Sequence, residues 1–141
     1  MNEIVCSGGL FFAKDTKRFL FLLRTQGKTA GTWGGVGGKK EPHDVTPYDT
    51  LKREIAEEVG KSPAIKKTVP LSLFSSEDEK FQYNTYVIIV EKEFIPILNI
   101  EHSGYAWCSY SEWPKPLHRG LKSILSNRII RSKLELLIEL L

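Results

Sequence analysis

Apolar and polar positions along the chain fall into strand-like runs followed by helix-like periodicities. Ile4–Ala13 and Phe19–Leu23 are nearly continuous apolar runs of strand length, joined by the polar stretch Lys14–Lys17, and they predict a hairpin. Gly27–Gly38 predicts a loop with a short strand near Thr32–Trp33. Leu71–Ser75, Gln82–Val90 and Tyr105–Ser109 predict further strands. The strongest helix signal covers residues 46–60: Thr46 is placed to cap it, Pro47 suits its first turn, Asp49 completes a capping box, and Gly60 ends it. A last helical region runs from about Leu117 to Leu141, with a break near Ser126–Asn127. Its Ile129, Ile130, Leu134, Leu137, Ile138 and Leu141 are spaced to cover one sheet face. The order β-β-loop-α-β-β-β-α lacks the regular alternation of a doubly wound fold. It predicts an α/β protein with a mixed sheet between helices.

Composition narrows the class. With 141 residues, 41% of them hydrophobic, the chain is long enough for one cored domain, expected over residues 1–141. No stretch approaches the ~18 uninterrupted apolar residues of a membrane helix, and Met1–Cys6 lacks the basic start and apolar run of a secretion signal. A cytoplasmic protein with no membrane partner is expected. Twenty Lys and Arg against seventeen Asp and Glu give a net charge of +3, poor support for a stable nucleic-acid partner. The late basic residues Lys115, Arg119, Lys122, Arg128, Arg131 and Lys133 read as a solvated helix face. Cys6 and Cys108 have no CxxC partner, and His43, His102 and His118 have no regular zinc spacing, so free thiols in a reducing compartment are expected.

Chemistry concentrates in Arg53-Glu54-Ile55-Ala56-Glu57-Glu58-Val59-Gly60. At about 100° per residue, Glu54, Glu57 and Glu58 lie within an arc of about 100°. Leu51, Ile55 and Val59 form the adjoining apolar stripe, and Glu58 borders it. Two carboxylates about 4–5 Å apart repel by roughly 3–4 kcal/mol at an effective dielectric of ~20. Arg53 reaches Glu57 at i,i+4, but one cation does not balance three acids. Such a cluster invites a hard divalent cation, Mg²⁺ or Mn²⁺. Directly before the helix, the glycine-rich segment Trp33-Gly34-Gly35-Val36-Gly37-Gly38-Lys39-Lys40-Glu41-Pro42-His43-Asp44 leaves backbone N–H groups uncovered and open to a metal or a phosphate chain.

Together these segments resemble the Nudix hydrolase family, whose box reads G-x5-E-x7-R-E-U-x-E-E-x-G-U with U apolar. Gly38 stands at the first glycine, Asp44 at the first acid, and Arg53 to Gly60 match R-E-U-x-E-E-x-G without a gap. Residues 45–52 supply eight spacers where the box has seven, and Lys61 stands at the last apolar position. The box thus covers residues 38–61. An arginine ending a strand (Arg24), and a glutamate shortly before an aromatic-tryptophan strand (Glu101, then Tyr105 and Trp107), extend the resemblance.

The resemblance implies an α/β/α sandwich and Mg²⁺-dependent cleavage of a nucleoside diphosphate linked to another moiety. Glu54, Glu57, Glu58 and the Gly38 carbonyl are the implied metal ligands, and Arg53 the residue that orients a carboxylate. Glu101 is the first candidate for general base, with Glu57 the second. Arg24 and Lys39 are the cations expected near substrate phosphates, and Trp33, Tyr83 and Tyr105 the aromatics available to stack a base. His118 is expected to cap the last helix or to contact the leaving moiety. The expected partner is a small-molecule nucleotide: a dinucleoside polyphosphate, a nucleotide sugar or a (d)NTP. A nucleotide-binding module without hydrolysis and an RNA 5′-end processing role are the alternatives. Strand edges and the apolar tail Lys133–Leu141 leave a homodimer open.

Overall fold

The computed structural model describes residues 3–141; Met1 and Asn2, which head the expected domain and the stretch read for a secretion signal, lie outside the described residues. Strand β1 (Ile4–Ala13) is the spine of the sheet. Successive strand residues face opposite sides, so an uninterrupted apolar run requires cover on both. Leu10 and Phe12 of β1 enter one core with Phe19 and Phe21 of β2 (Arg18–Arg24), whereas Phe11 and Ala13 enter a second core with Leu20 and Leu22. Helices α2 (Arg119–Ser126) and α3 (Arg128–Leu140) close the first core through Leu121, Leu125 and Leu134. Helix α1 (Pro47–Val59) closes the second through Leu51, Ile55 and Val59. This is the α/β/α layering expected from the element order.

Along one edge β1 runs parallel to β6 (Phe81–Val90), which pairs antiparallel with the edge strand β5 (Ile65–Ser75). The other edge of β1 is shared. Cys6–Gly9 pairs with β4 (Val36–Lys39), and Phe12–Ala13 pairs with β2. Strand β2 continues to β3 (Trp33–Gly34) and to β7 (His102–Ser109). The sheet therefore divides where β4 and β2 leave β1.

Several boundaries differ from the sequence reading. Gly27–Gly38 is not an open loop: a 3₁₀ turn at Gly27–Thr29 is followed by β3 and β4. Gly37 holds φ at 155°, and a Cβ there would lie 2.5 Å from the Ser7 carbonyl oxygen, so only a residue without a side chain lets β4 approach β1 this closely. Strand β5 begins at Ile65 rather than Leu71, because Lys66, Lys67 and Pro70 are tolerated on an edge strand that shifts register around them. Strand β7 likewise begins at His102 rather than Tyr105. Helix α2 begins at Arg119 because Leu117 is bridged to Trp33 and His118 caps the helix, its Nδ1 accepting from the Gly120 N–H at 3.1 Å. Asn127 breaks the helical region, its Oδ1 accepting from the Ile129 and Ile130 N–H groups at 3.0 and 3.1 Å. Ile129 is 74% exposed, on the side of α3 away from the buried Leu134, and so is not part of the covered face.

Helix α1 starts as expected. Thr46 Oγ1 accepts from the Asp49 N–H (3.2 Å), and Asp49 Oδ2 accepts from the Thr46 N–H (2.9 Å). At its other end an irregular strap, residues 91–101, crosses the helix. The Ile97 N–H donates to the Val59 carbonyl and Asn99 Nδ2 to the Glu57 carbonyl, each at 2.9 Å. Trp107 of β7 holds the strap from beneath, Nε1 donating to the Phe94 carbonyl at 3.1 Å. Among the described residues no helix is long and apolar enough to cross a membrane. Cys6 is buried, Cys108 is half-buried, and both are free thiols.

Candidate active site

The acidic face of α1 divides by burial. Glu54 and Glu58, one turn apart, are 8% and 3% exposed and face β4. The Gly37 N–H donates to Glu58 Oε1 at 2.9 Å. Gly38 lies directly against Glu54, whose carboxylate oxygen stands where a Cβ on residue 38 would sit. Burial pushes the Glu58 carboxyl up to about 8, with the neighbouring Glu54 and Glu101 charges adding to it. Burial also raises Glu54, although Arg53 opposes the shift.

Glu57 takes the opposite position. Its side chain is 49% exposed and lies on Arg53, whose Nη1 donates to Glu57 Oε2 at 3.1 Å. Arg53 is the hub of the segment. The same Nη1 donates to Glu54 Oε2 at 3.0 Å, while Nη2 donates to the Lys39 carbonyl at 2.8 Å and to Asp44 Oδ2 at 2.9 Å. Asp44 is buried, and also accepts from Thr50 Oγ1 (3.0 Å) and the Glu41 N–H (2.9 Å). The Arg53 hydrogen bond holds the Asp44 carboxyl well below the usual carboxylate range. One guanidinium thus fixes the end of β4, the start of α1 and two acids of the cluster.

Glu101 sits at the end of the strap, exposed, with its charge felt by Glu58. Asn99 places it: Oδ1 accepts from the Glu101 N–H at 2.8 Å while Nδ2 holds the Glu57 carbonyl. Asn99 was not distinguishable in the sequence, since its two partners lie on different elements. His102 follows, 4% exposed, with neither ring nitrogen hydrogen-bonded. Burial, with the nearby Arg24 charge adding, lowers it to about 4, so the ring is neutral at pH 7.

Along the division of the sheet opens a cleft of about 620 Å³, bounded by the Gly34–Gly38 backbone, by β6 and by the start of α2. Phe74, Phe81 and Tyr83 form an aromatic row on one wall, with ring centroids 6.0 and 6.5 Å apart. Arg24 and His118 face the cleft; Arg24 Nε is fixed to Thr29 Oγ1 at 2.7 Å. Because His118 Nδ1 accepts from Gly120, the neutral ring carries its proton on Nε2.

The predicted substrate-binding residues separate accordingly. Arg24 and Tyr83 line the cleft; Lys39, Trp33 and Tyr105 do not. Trp33 packs against the first core and Lys39 ends β4, its carbonyl taken by Arg53. Tyr105 lies on β7 opposite Leu22. Phe74 and Phe81 do not stand out in the sequence because the β5–β6 register, which sets Phe74 against Tyr83, is what brings these aromatics together.

Two buried acids facing a glycine-bearing strand, beside a cleft with arginine and aromatic walls, form a site for a phosphate chain and an aromatic base. The family profile described as the NUDIX domain matches residues 6–127, and the chain belongs to the Nudix hydrolase family. Its enzyme class is that of hydrolases acting on pyrophosphate bonds. Among solved structures, the fold is similar to a MutT Nudix hydrolase from Burkholderia pseudomallei, with TM-score 0.69 and 22% identity over 91% of this chain and 99% of that one. It is similar to the Nudix hydrolase RenU of M. smegmatis, with TM-score 0.74 and 19% identity over 94% and 86% of the two chains. It is also similar to the Nudix domain of Shewanella oneidensis NrtR complexed with ADP ribose, with TM-score 0.73 and 16% identity over 94% and 90%. No curated protein sequence matches the chain.

Proposed function

We propose that the chain is a Mg²⁺-dependent pyrophosphohydrolase of the cytoplasm, cleaving a nucleoside diphosphate linked to another moiety. The observation that carries this reading is the buried Glu54–Glu58 pair set against Gly37 and Gly38 at the edge of the cleft. The pair fits a hard cation. Its oxygens are concentrated, Glu58 accepts from the Gly37 N–H, and Arg53 brings positive charge to Glu54. Among the described residues no three His, Cys, Asp or Glu side chains already converge as a ligand set, because Glu57 is drawn to Arg53. Glu54, Glu58 and the Gly38 carbonyl are therefore assigned as the primary holders, with Glu57 as the rim ligand. When bound, Mg²⁺ or Mn²⁺ neutralises charge on the phosphoryl oxygens.

Other roles belong to this chain's own groups. Arg24 and the Nε2–H of His118 bind substrate oxygens in the cleft, and the Phe74–Phe81–Tyr83 wall stacks a base. Glu101 accepts the proton of the attacking water, held in place through Asn99. Arg53 keeps Glu54 and Glu57 in orientation without touching substrate. Glu101→Gln is expected to lower kcat by at least about tenfold. Asn99→Ala should lower it in the same direction with KM little changed, and Asn99→Asp, which keeps the acceptor for the Glu101 N–H, should recover part of the loss. Steady-state kinetics of the three variants checks this; a normal kcat in Glu101→Gln returns the role of base to Glu57.

A product-resolved screen of dinucleoside polyphosphates, nucleotide sugars, NTPs, dNTPs and ADP ribose, with Mg²⁺ and with Mn²⁺, tests the activity and names the substrate class. ADP ribose stands in the panel because the fold is similar to a Nudix domain solved with that compound. Saturable binding across the panel with no product formed would overturn the proposed reaction.

A further inference from the structure

Helix α3 lies beyond residue 127, where the family match ends, and it carries more apolar residues than the sheet covers. Leu134, fully buried, packs with Ile130, Leu137, Ile138 and Leu141 against the first core. Ile129, Leu136 and Leu140 lie on the other side, 74%, 57% and 74% exposed. At about 100° per residue these three fall within about 40° of one another. With Lys133 they occupy successive d, a, d, a positions of a heptad, the seam by which helices pair. Lys133 directs its ammonium inward, Nζ donating to the Leu71 carbonyl at 2.8 Å, so its methylene stem is what the seam presents.

We propose that this seam is the interface with a second copy of the same chain, the two α3 helices running antiparallel about a two-fold axis. The seam is self-complementary under that operation. Ile129 meets the partner's Leu140 and Lys133 meets the partner's Leu136, so every layer joins one a position to one d position. A parallel pair would instead set Lys133 against the partner's Lys133. Charge agrees with the antiparallel choice. Arg128 and Glu139, both exposed, share one flank of the seam near its opposite ends. The two-fold brings Arg128 to the partner's Glu139 twice, whereas a parallel pair would set this charged flank against the apolar Ile130 and Leu137 flank of the other helix. The half-buried Ile130 and Leu137 on the other flank meet one another across the axis and extend the contact. None of these residues has been placed in the candidate active site, so the interface stands independently of the proposed reaction.

Sedimentation velocity of the full chain from about 1 µM to about 1 mM tests the proposal, the range in which an interface of one short helix pair is read. A reversible monomer–dimer equilibrium is expected. Leu136→Glu should raise its dissociation constant by at least about tenfold with an unchanged far-UV circular dichroism spectrum. Arg128→Glu alone should raise it about threefold, and Arg128→Glu combined with Glu139→Arg should return it to within about twofold of the starting value. A monomer at every concentration, or a dimer indifferent to Leu136→Glu, overturns the interface. Loss of affinity in the charge-swapped double variant overturns the antiparallel arrangement.

Discussion

Glu58→Gln is expected to lower kcat by at least about tenfold while raising the melting temperature of the metal-free protein at pH 8. The two effects have one source. Glu58 is buried beside Glu54, and its folded-state carboxyl titrates near 8, above the ordinary 4.5. A raised acid binds its proton more tightly in the folded chain than in the unfolded one. Its contribution to stability is therefore fully present below about 4.5 and is lost as pH rises through about 8. The loss is on the order of a few kcal/mol once the carboxylate is charged. Glutamine, neutral at every pH, removes that penalty and also removes the charge that a bound cation and the reacting phosphate require. Melting curves in chelator at pH 5 and pH 8 check the first effect: across this interval the wild type loses stability relative to the variant, the opposite contribution of His102, which burial lowers to about 4, being common to both. Adding Mg²⁺ at pH 8 should stabilise the wild type more than the variant, since only the former offers a full carboxylate pair. Parallel profiles of wild type and variant in chelator, together with normal turnover in the variant, would remove Glu58 from the site. Asp44 has the opposite sign. Arg53 holds its carboxyl below the ordinary 3.8, so its contribution is present above that value and is lost as pH falls through the lowered one.

Gly38→Ala is expected to reduce turnover by at least about a hundredfold, above the roughly tenfold loss set as the minimum for the carboxylate changes. The added methyl falls on the Glu54 carboxylate, which must leave its place between β4 and Arg53. Because Arg53 also binds Glu57, Asp44 and the Lys39 carbonyl, that displacement spreads through the acidic cluster. Overpacking at such a point also destabilises the fold by about 1–3 kcal/mol. Gly104→Ala is the matching control: its methyl would meet Leu23 at 3.7 and 3.8 Å, ordinary contact, away from the cleft. Kinetics and melting curves of the two variants separate them. Equal activities would show that Glu54 does not need its present position.

What the sequence made legible was local. The capping box at Thr46 and Asp49, the acid spacing on α1 and the break at Asn127 depend on neighbours within a few residues, and all of them appear in the structure. What stayed hidden was long-range pairing. The glycine run reads as a loop because glycine has no strand preference, yet close approach to β1 draws it into the sheet. Lys66, Lys67 and Pro70 mask the start of β5 because an edge strand accepts residues that a central strand rejects. Asp44 stands where the box has glutamate, and its buried carboxylate binds Arg53 and Thr50, partners nine and six residues away. The aromatic wall and Asn99 each depend on two elements meeting, which no pattern within one segment reports.

Arg53 gives the site a further property. Its guanidinium braces the backbone at Lys39 and the buried Asp44 through Nη2 while Nη1 aims Glu54 and Glu57. A mutant library sorted for soluble expression alone should thus retain this arginine as strictly as one sorted for product formation. Glu58 behaves in reverse, discarded by the first sort and demanded by the second. Comparing residue frequencies between the two populations would distinguish scaffold from chemistry, position by position, without any bound substrate analogue.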